Sequence, residues 1–131
     1  MNHRFESALL VVAIVILRAM VAEDMDRARV TICETIREHH CLAFVYEGLD
    51  RVVEPYCHGI STAGLEVLRG IQVAGASRSG RLKVSSGKLW LVDKMQRVRS
   101  TGQQFVPSDP RYNPGDSAML TIHCCLKVLR R

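Results

Sequence analysis

A concentration of basic side chains is the feature of this sequence with the most direct chemical meaning. Between residues 69 and 99 there are eight Lys and Arg residues and one acid, Asp93. Clustered cations attract phosphate groups, and the planar guanidinium of Arg can bind a phosphate through two parallel hydrogen bonds. The sequence therefore predicts a surface that binds a nucleotide or nucleic acid, made of Arg69, Arg78, Arg81, Lys83, Lys88, Lys94 and Arg97.

The charge of the whole chain is compatible with such a partner but does not require one. The 131 residues carry a net charge of +5, which combines −3 over residues 1–65 with +8 over residues 66–131. A basic half favours a polyanionic partner. The alternative is a charged surface that only maintains solubility. Trp90 and Tyr112 could stack on a base, although a Trp in an apolar strand is more typical of a core.

Histidines and cysteines occur next to one another in three places, at residues 39–41, 57–58 and 123–125. A zinc site needs donors that converge, whereas neighbouring side chains on a strand point to opposite faces. Three strands could still supply Cys41, Cys57 and His123, but buried structural cysteines are the simpler interpretation. We therefore predict neither a metal site nor a cofactor.

The sequence contains no local signature of an enzyme. Cys57 and His123 could form a nucleophilic pair, but no surrounding motif supports one. There is no Ser elbow, no HExxH motif and no nucleotide fingerprint. The five cysteines are odd in number and form no CxxC pair. We therefore expect a non-catalytic cytoplasmic protein with reduced thiols.

Residues 8–17 are ten apolar residues in a row, followed by Arg18. A membrane span needs about 20 apolar residues, so a membrane protein is not expected. In a signal peptide, Met20 would occupy an unfavourable position of the cleavage site. The favoured interpretation of residues 1–24 is an additional apolar helix, or translated sequence upstream of the true start.

The elements that would position the basic residues follow this segment. Asp24 and Asp26 are candidate N-caps for a helix that reaches about His40. Alternating patterns then predict five strands, at residues 41–47, 51–60, 66–74, 88–98 and 118–128, with the fourth continuing toward Phe105. Pro55 indicates a strand edge or a bulge. Residues 75–87 are rich in Gly, Ser and cations, which predicts a long loop or hairpin tip.

One helix followed by short antiparallel strands predicts an α+β fold. We expect the helix to pack on a small, strongly bent β-barrel of the SH3 or Sm type. Closure into a barrel would leave such a short sheet without exposed edges. Residues 1–24 would form the apolar N-terminal segment and residues 25–131 the β-barrel domain.

Three sequence blocks occur in a fixed order between residues 30 and 100. They are Phe-Val-Tyr at 44–46 after the helix, Val-Glu-Pro-Tyr at 53–56, and Asp-Lys-Met at 93–95. In this order and spacing they resemble the WYL domain, a β-barrel module of bacterial transcriptional regulators. The resemblance is closest to short free-standing WYL-like proteins, in which the segment at residues 112–116 before the last strand is also typical.

The sequence departs from the WYL pattern at positions that the resemblance assigns to ligand binding. The Trp-Tyr-Leu triplet aligns with residues 66–68, where Leu68 alone is retained. An Arg that is common near the end of the family's fourth strand is replaced by Leu91 or Val92. No helix-turn-helix motif precedes residue 26, so this chain alone is not a complete regulator.

The resemblance implies a sensory or binding module that recognises a nucleotide or nucleic acid, in bacterial transcriptional regulation. Arg69, Lys88, Lys94 and Arg97 would form the surface, with Arg78, Arg81 and Lys83 reaching from the loop. A different hypothesis is a structural partner, either a homo-oligomer or a subunit of a larger regulator. A zinc- or thiol-dependent enzyme is the third.

Overall fold

The computed structural model describes residues 3–77, 87–107 and 114–127. A helix, α1 (His3–Glu38), is followed by β1 (His40–Tyr46), β2 (Leu49–Ser61), β3 (Glu66–Gly75), β4 (Lys88–Leu91), β5 (Gln96–Gln104) and β6 (Met119–Cys125). A single 3₁₀ turn, Val92–Lys94, connects β4 to β5. The predicted α+β class is confirmed.

The helix begins far upstream of the predicted N-caps and passes through the boundary at residues 24 and 25. Residues 3–38 contain no Gly and no Pro, so nothing in the backbone interrupts the helix. It ends before His39, whose positive φ of 57° reverses the chain into β1. Ile32 and Ile36, one turn apart, are fully buried against the sheet. The C-terminal third of α1 is therefore the part that packs on the domain.

β1 and β2 form a hairpin with a two-residue turn. Glu47 and Gly48 have φ values of 54° and 74°. Two consecutive positive φ angles are typical of the type I′ turn that suits the twist of a hairpin. The predicted strands at residues 41–47 and 51–60 place the turn at residues 48–50, whereas the pairing of Tyr46 with Leu49 places it at Glu47 and Gly48.

The 13-residue strand β2 is the centre of the sheet. It pairs with β3 along one edge, while its first half pairs with β1 and its second half with β6 on the other edge. The register with β3 shifts between Pro55 and Cys57, which confirms the bulge predicted at this proline. Gly70 allows the close approach of the two strands, because a Cβ there would lie 2.3 Å from Val53 Cγ1.

The sheet is open, so the predicted SH3- or Sm-like barrel is wrong. Its strand order is β4-β3-β2-β1-β5, with β6 paired to β2. The predicted fourth strand at residues 88–98 is interrupted by the 3₁₀ turn, in which Met95 N donates to Val92 O at 3.1 Å. This turn carries the chain from one end of the sheet order to the other, and β4 and β5 do not pair.

The core lies between the sheet and the C-terminal third of α1. Leu42, Phe44 and Tyr46, which the alternating pattern places on one face of β1, are all buried, and so is Ala43 on the other face. The rings of Phe44 and Tyr46 meet Trp90 edge-on, with centroids 5.3 and 5.1 Å from its own. Trp90 is therefore a core residue, as is typical of a Trp in an apolar strand.

The last strand departs from simple alternation. Leu120 is 76% exposed and Ile122 39% exposed, whereas Cys124 is half-buried and Leu126 is buried. Two register shifts in the pairing of β2 with β6 break the two-residue period that would have placed all four on one face.

The N-terminal half of α1 presents its apolar side chains to solvent. The large apolar residues between Leu9 and Val21 keep between 42% and 63% of their surface exposed. Apolar residues occupy every side of the helix here, in contrast to an ordinary amphipathic surface helix. Within the part of the chain that the structure describes, no helix combines the length and apolar character needed to cross a membrane.

Candidate functional site

Of the predicted phosphate-binding residues, Arg69 on β3 is engaged in contacts within the protein. Its Nε and Nη2 donate to the two carboxylate oxygens of Asp116, at 2.8 and 3.2 Å, and its Nη1 donates to the carbonyl of Gly87 at 2.8 Å. The hydrogen bonds from Arg69 hold the pKa of Asp116 below its usual range. Arg69 thus fixes the backbone immediately before Lys88.

Lys88, at the start of β4, lies against two aromatic rings. Its Nζ is 4.1 Å from the ring centroid of Trp90 and 5.8 Å from that of Tyr46. The Tyr46 hydroxyl accepts a hydrogen bond from Leu91 N at 3.3 Å, which fixes this ring beside β4. The ammonium group interacts with the electron-rich ring face while the side chain remains exposed.

A second cation, which the sequence reasoning did not identify, approaches the same tryptophan. Arg51 is only 3% exposed, and its guanidinium carbon lies 5.6 Å from the Trp90 centroid. Nε and Nη2 donate to the Tyr46 carbonyl, and Nη1 donates to Gln72 Oε1. Among the described residues, no carboxylate forms an ion pair with Arg51. The acceptors of these hydrogen bonds, a backbone carbonyl and a side-chain amide, carry no charge.

Further cations follow Lys88 along the chain. Lys94, Arg97 and Arg99 are all exposed. The ring of Tyr46, 5.8 Å from Lys88 Nζ, belongs to the residue that follows Val45, and Val45 pairs with Gln96 at the start of β5. We refer to the four exposed cations at positions 88, 94, 97 and 99 as the basic segment.

Arg97 has an unusual backbone. Its φ is 53°, in the left-handed region that side chains other than Gly rarely adopt. It lies in a bulge, where Ala43 pairs with Arg99 but Val45 pairs with Gln96. The bulge therefore places one more residue on β5 than on β1, and the β5 strand bends at this point.

A cleft between α1 and the segment at residues 92–98 borders the basic segment. Its charged lining residues are Asp24 and Arg27 from α1, with Asp93 and Arg97 from the opposite wall. Because the two acids offset the two arginines, the cleft itself does not favour an anion. The excess of positive charge lies on the adjoining exposed strand. Arg78, Arg81, Lys83 and Tyr112 lie outside the described residues, and their predicted roles stay predictions.

The expectation that all cysteines are reduced is wrong for two of them. A disulfide joins Cys33 on α1 to Cys124 on β6, across 91 positions of the sequence. Cys41, Cys57 and Cys125 are free thiols. This pairing depends on the packing of α1 against β6, which no local sequence pattern predicts.

The imidazole of His58 lies against this disulfide. Its Nδ1 is 3.5 Å from Cys33 Sγ and 3.7 Å from Cys124 Sγ. Its Nε2 is 2.8 Å from Glu66 Oε2, and Arg29 holds the same carboxylate from the opposite side at 2.9 Å. We refer to these five residues as the His58 cluster. A relay of this kind orients the imidazole, because a carboxylate that accepts from Nε2–H leaves the lone pair on Nδ1.

Burial and hydrogen bonding both shift the pKa values of His58 and Glu66 in this cluster. Burial lowers the pKa of His58, despite its contact with Glu66. Burial would raise the pKa of Glu66, but hydrogen bonds from Arg29 and His58 bring it below its usual value. Near neutral pH the cluster therefore holds a neutral imidazole beside an ionised carboxylate.

The metal ligands considered from the sequence, Cys41, Cys57 and His123, are not the side chains that converge in the structure. Cys57 is buried in contact with Met119 Sδ at 3.5 Å, and burial raises the pKa of its thiol to about 12. A thiol of this kind is protonated and a poor nucleophile. Among the described residues, the metal-type donors that lie within 4.8 Å of one another are Cys33, His58 and Cys124. His58, not its neighbour Cys57, is the functional candidate on β2.

Comparisons of the chain with protein families, with curated proteins and with solved structures find no match. The geometry of the two regions, the basic segment and the His58 cluster, therefore carries the functional argument.

Proposed function

We propose that the protein is a non-catalytic binding module for a polyanionic ligand, with nucleic acid as the favoured class. The ligand would lie along the basic segment on β4, the 3₁₀ turn and β5. The resemblance to WYL domains motivates the further proposal that binding serves bacterial transcriptional regulation. The observation that carries the proposal is the pair of cations at Trp90, of which Lys88 is exposed and Arg51 is buried.

Among the residues that the structure describes, these two cations form no ion pair, so they create a region of positive charge. Lys88 approaches one tryptophan ring to 4.1 Å and Arg51 to 5.6 Å, and the hydrogen-bond acceptors of Arg51 are uncharged. A buried charge is costly unless it is paired. A phosphate that contacts Lys88 would therefore gain from both charges, whereas a neutral ligand would gain from neither.

The shape of the surface favours an extended ligand. Lys94, Arg97 and Arg99 follow one another along a stretch in which every residue of β5 except Val98 is exposed. Among its described lining residues, the neighbouring cleft has two acids and two arginines, which offset one another. A polynucleotide backbone can contact cations along a strand, while a mononucleotide would need a pocket that supplies the charge.

Arg69 contributes to this surface indirectly. Its bonds to Asp116 and to Gly87 O place the first cation of the basic segment, and its own guanidinium is occupied. The loss of binding in an Arg69→Ala variant would follow from displacement of Lys88. Substitutions at positions 94, 97 and 99 test the proposal more directly.

The decisive experiment measures binding of the full chain to labelled single-stranded and double-stranded DNA over a salt series. We expect affinity to fall steeply with salt. The triple substitution K94A/R97A/R99A should reduce the slope of log K against log salt by roughly 0.7–0.9 for each phosphate that the variant no longer neutralises. Lys127→Ala, which removes an exposed cation on another segment, is the matched control. Undetectable binding at low salt, or an unchanged slope in the triple variant, would contradict the proposal.

The exposed half of α1 supports a second candidate, self-association. An uninterrupted apolar surface of this kind marks an interaction site, and residues 8–17 carry no charge that would oppose a second copy of the helix. We expect the full chain to sediment as an oligomer and I16S/L9S to shift it toward the monomer. A monomeric full chain at micromolar concentration would remove this candidate.

A further inference from the structure

We propose that Cys33, Cys124 and His58, after reduction of the disulfide, form a binding site for Zn²⁺. Two thiolates and an imidazole nitrogen are donors that zinc prefers, and three protein ligands with one open position form a known type of zinc site. The site is independent of the proposed function, because it uses none of the residues of the basic segment.

The distances from His58 Nδ1 to the two sulfurs suit tetrahedral coordination. Zinc binds sulfur at about 2.3 Å and nitrogen at about 2.0 Å, so a tetrahedral ion separates a sulfur from a nitrogen by about 3.5 Å. His58 Nδ1 lies 3.5 Å from one sulfur and 3.7 Å from the other. After reduction, the two sulfurs must separate to about 3.8 Å to bind one tetrahedral ion. The imidazole nitrogen already lies at a suitable distance from each sulfur.

The surroundings of His58 are those of a metal ligand. Its Nε2 is 2.8 Å from the Glu66 carboxylate, which is itself fixed by Arg29. A carboxylate behind a ligating imidazole fixes the ring and keeps the coordinating nitrogen unprotonated. His58 is 2% exposed, so its ring is already held in the orientation that coordination requires.

The proposal makes oxidation and metal binding mutually exclusive. A thiol reductant, two RSH per disulfide, would transfer two electrons and two protons to give the thiols of Cys33 and Cys124 and one RSSR. Binding of Zn²⁺ would then release the two thiol protons as both sulfurs become ligands. Oxidation to the disulfide removes two of the three donors and releases the ion.

The test uses the full chain, reduced with a phosphine in metal-free buffer and titrated with Zn²⁺. We expect about one zinc ion per reduced chain, none on the oxidised chain, and a thiolate-to-metal absorption band when Co²⁺ replaces Zn²⁺. Cys33→Ser and Cys124→Ser should each abolish stoichiometric binding, and Glu66→Gln should weaken it by about 10- to 100-fold.

Cys125→Ser is the matched control, because Cys125 is a half-buried free thiol directly beside Cys124. It should bind zinc as the wild type does. The proposal is overturned if the reduced full chain binds no zinc, whether or not it remains folded. It is also overturned if the oxidised chain binds as tightly, or if Cys125→Ser loses the ion while Cys124→Ser keeps it.

Discussion

The His58 cluster and the basic segment differ in whether their charged side chains are paired within the fold. In the cluster, the ionised Glu66 is held by Arg29 on one side and by His58 on the other, and its side chain is only 13% exposed. In the basic segment, Lys88 relies on aromatic rings, and the other cations along the chain are exposed. A charge that is already satisfied within the fold serves an internal task, whereas an unsatisfied charge is available to a partner. This difference separates the two proposals.

The largest effect on stability should come from substitution of Trp90, whose ring contacts Lys88. Trp90→Ala removes a fully buried side chain that contacts Phe44 and Tyr46, and we expect a loss of about 3–5 kcal/mol in the free energy of unfolding. Chemical denaturation measures this change. Trp90→Phe, which retains an aromatic ring, should cost less. Equal stability of Trp90→Ala and wild type would show that the basic segment does not rest on the core.

The next effect concerns the disulfide in the His58 cluster. Replacing both Cys33 and Cys124 by Ala removes a cross-link over 91 positions, and we expect a loss of about 2–5 kcal/mol. Cys125→Ser, one residue away, should have a small effect. If the double variant melts at the wild-type temperature, the covalent bond adds nothing to the packing of α1 on β6.

Acidification should weaken the His58 cluster. His58 has a lowered pKa in the folded chain, so stability should begin to fall as pH drops below its ordinary value of 6.5. Glu66 also has a lowered pKa, so its contribution is complete above the ordinary value of 4.5 and is lost below it. Denaturation curves between about pH 7 and pH 3 should therefore decline in two stages.

Glu66→Gln separates these two stages. It should reduce the lower stage to the part contributed by Asp116, whose pKa is also lowered. Because the buried His58 loses a charged acceptor, the substitution should also reduce stability near neutral pH by about 2 kcal/mol. Lys94→Ala, from the basic segment, should leave the pH profile unchanged. An acidic stage of unchanged size in Glu66→Gln would show that Glu66 does not contribute to it.

The smallest effect should come from Arg97, where two substitutions separate the contribution of the backbone conformation from that of the charge. Arg97→Gly should raise stability by about 1 kcal/mol relative to Arg97→Ala, because Gly adopts the observed φ of 53° without strain. Both substitutions remove the same charge, so both should weaken DNA binding equally. Binding that differs between the two variants would indicate that the bulge, and not the guanidinium, shapes the ligand surface.

The sequence predicted the features that depend on local period and on turn residues. Alternation indicated the buried face of Leu42, Phe44 and Tyr46, and Pro55 indicated the bulge. The hairpin turn begins one residue earlier than predicted because Glu47, a residue with no turn preference, takes a positive φ. The 3₁₀ turn at residues 92–94 was missed because its first residue continues an apolar pattern typical of a strand.

Features that depend on distant contacts were not accessible from the sequence. Cys33 and Cys124 are far apart along the chain, and each had closer candidates for a partner. Cys57 and His58 are neighbours in the sequence, but only the fold shows that His58 faces the other donors while Cys57 faces Met119. Barrel closure was wrong because the turn between β4 and β5 joins strands that do not pair. The WYL-like function stays a prediction.

The pairing of β2 affects how readily β6 separates from the sheet. β6 is bound to the sheet through the second half of β2, whose first half is already paired with β1. Strands attached by one neighbour tend to detach as a unit at lower free energy than the rest of a sheet. In the oxidised chain the bond from Cys33 keeps β6 tethered to the helix, so amide hydrogens of β6 should exchange slowly. Reduction should bring the exchange of β6 closer to that of β4 and β5, the other strands with a single neighbour.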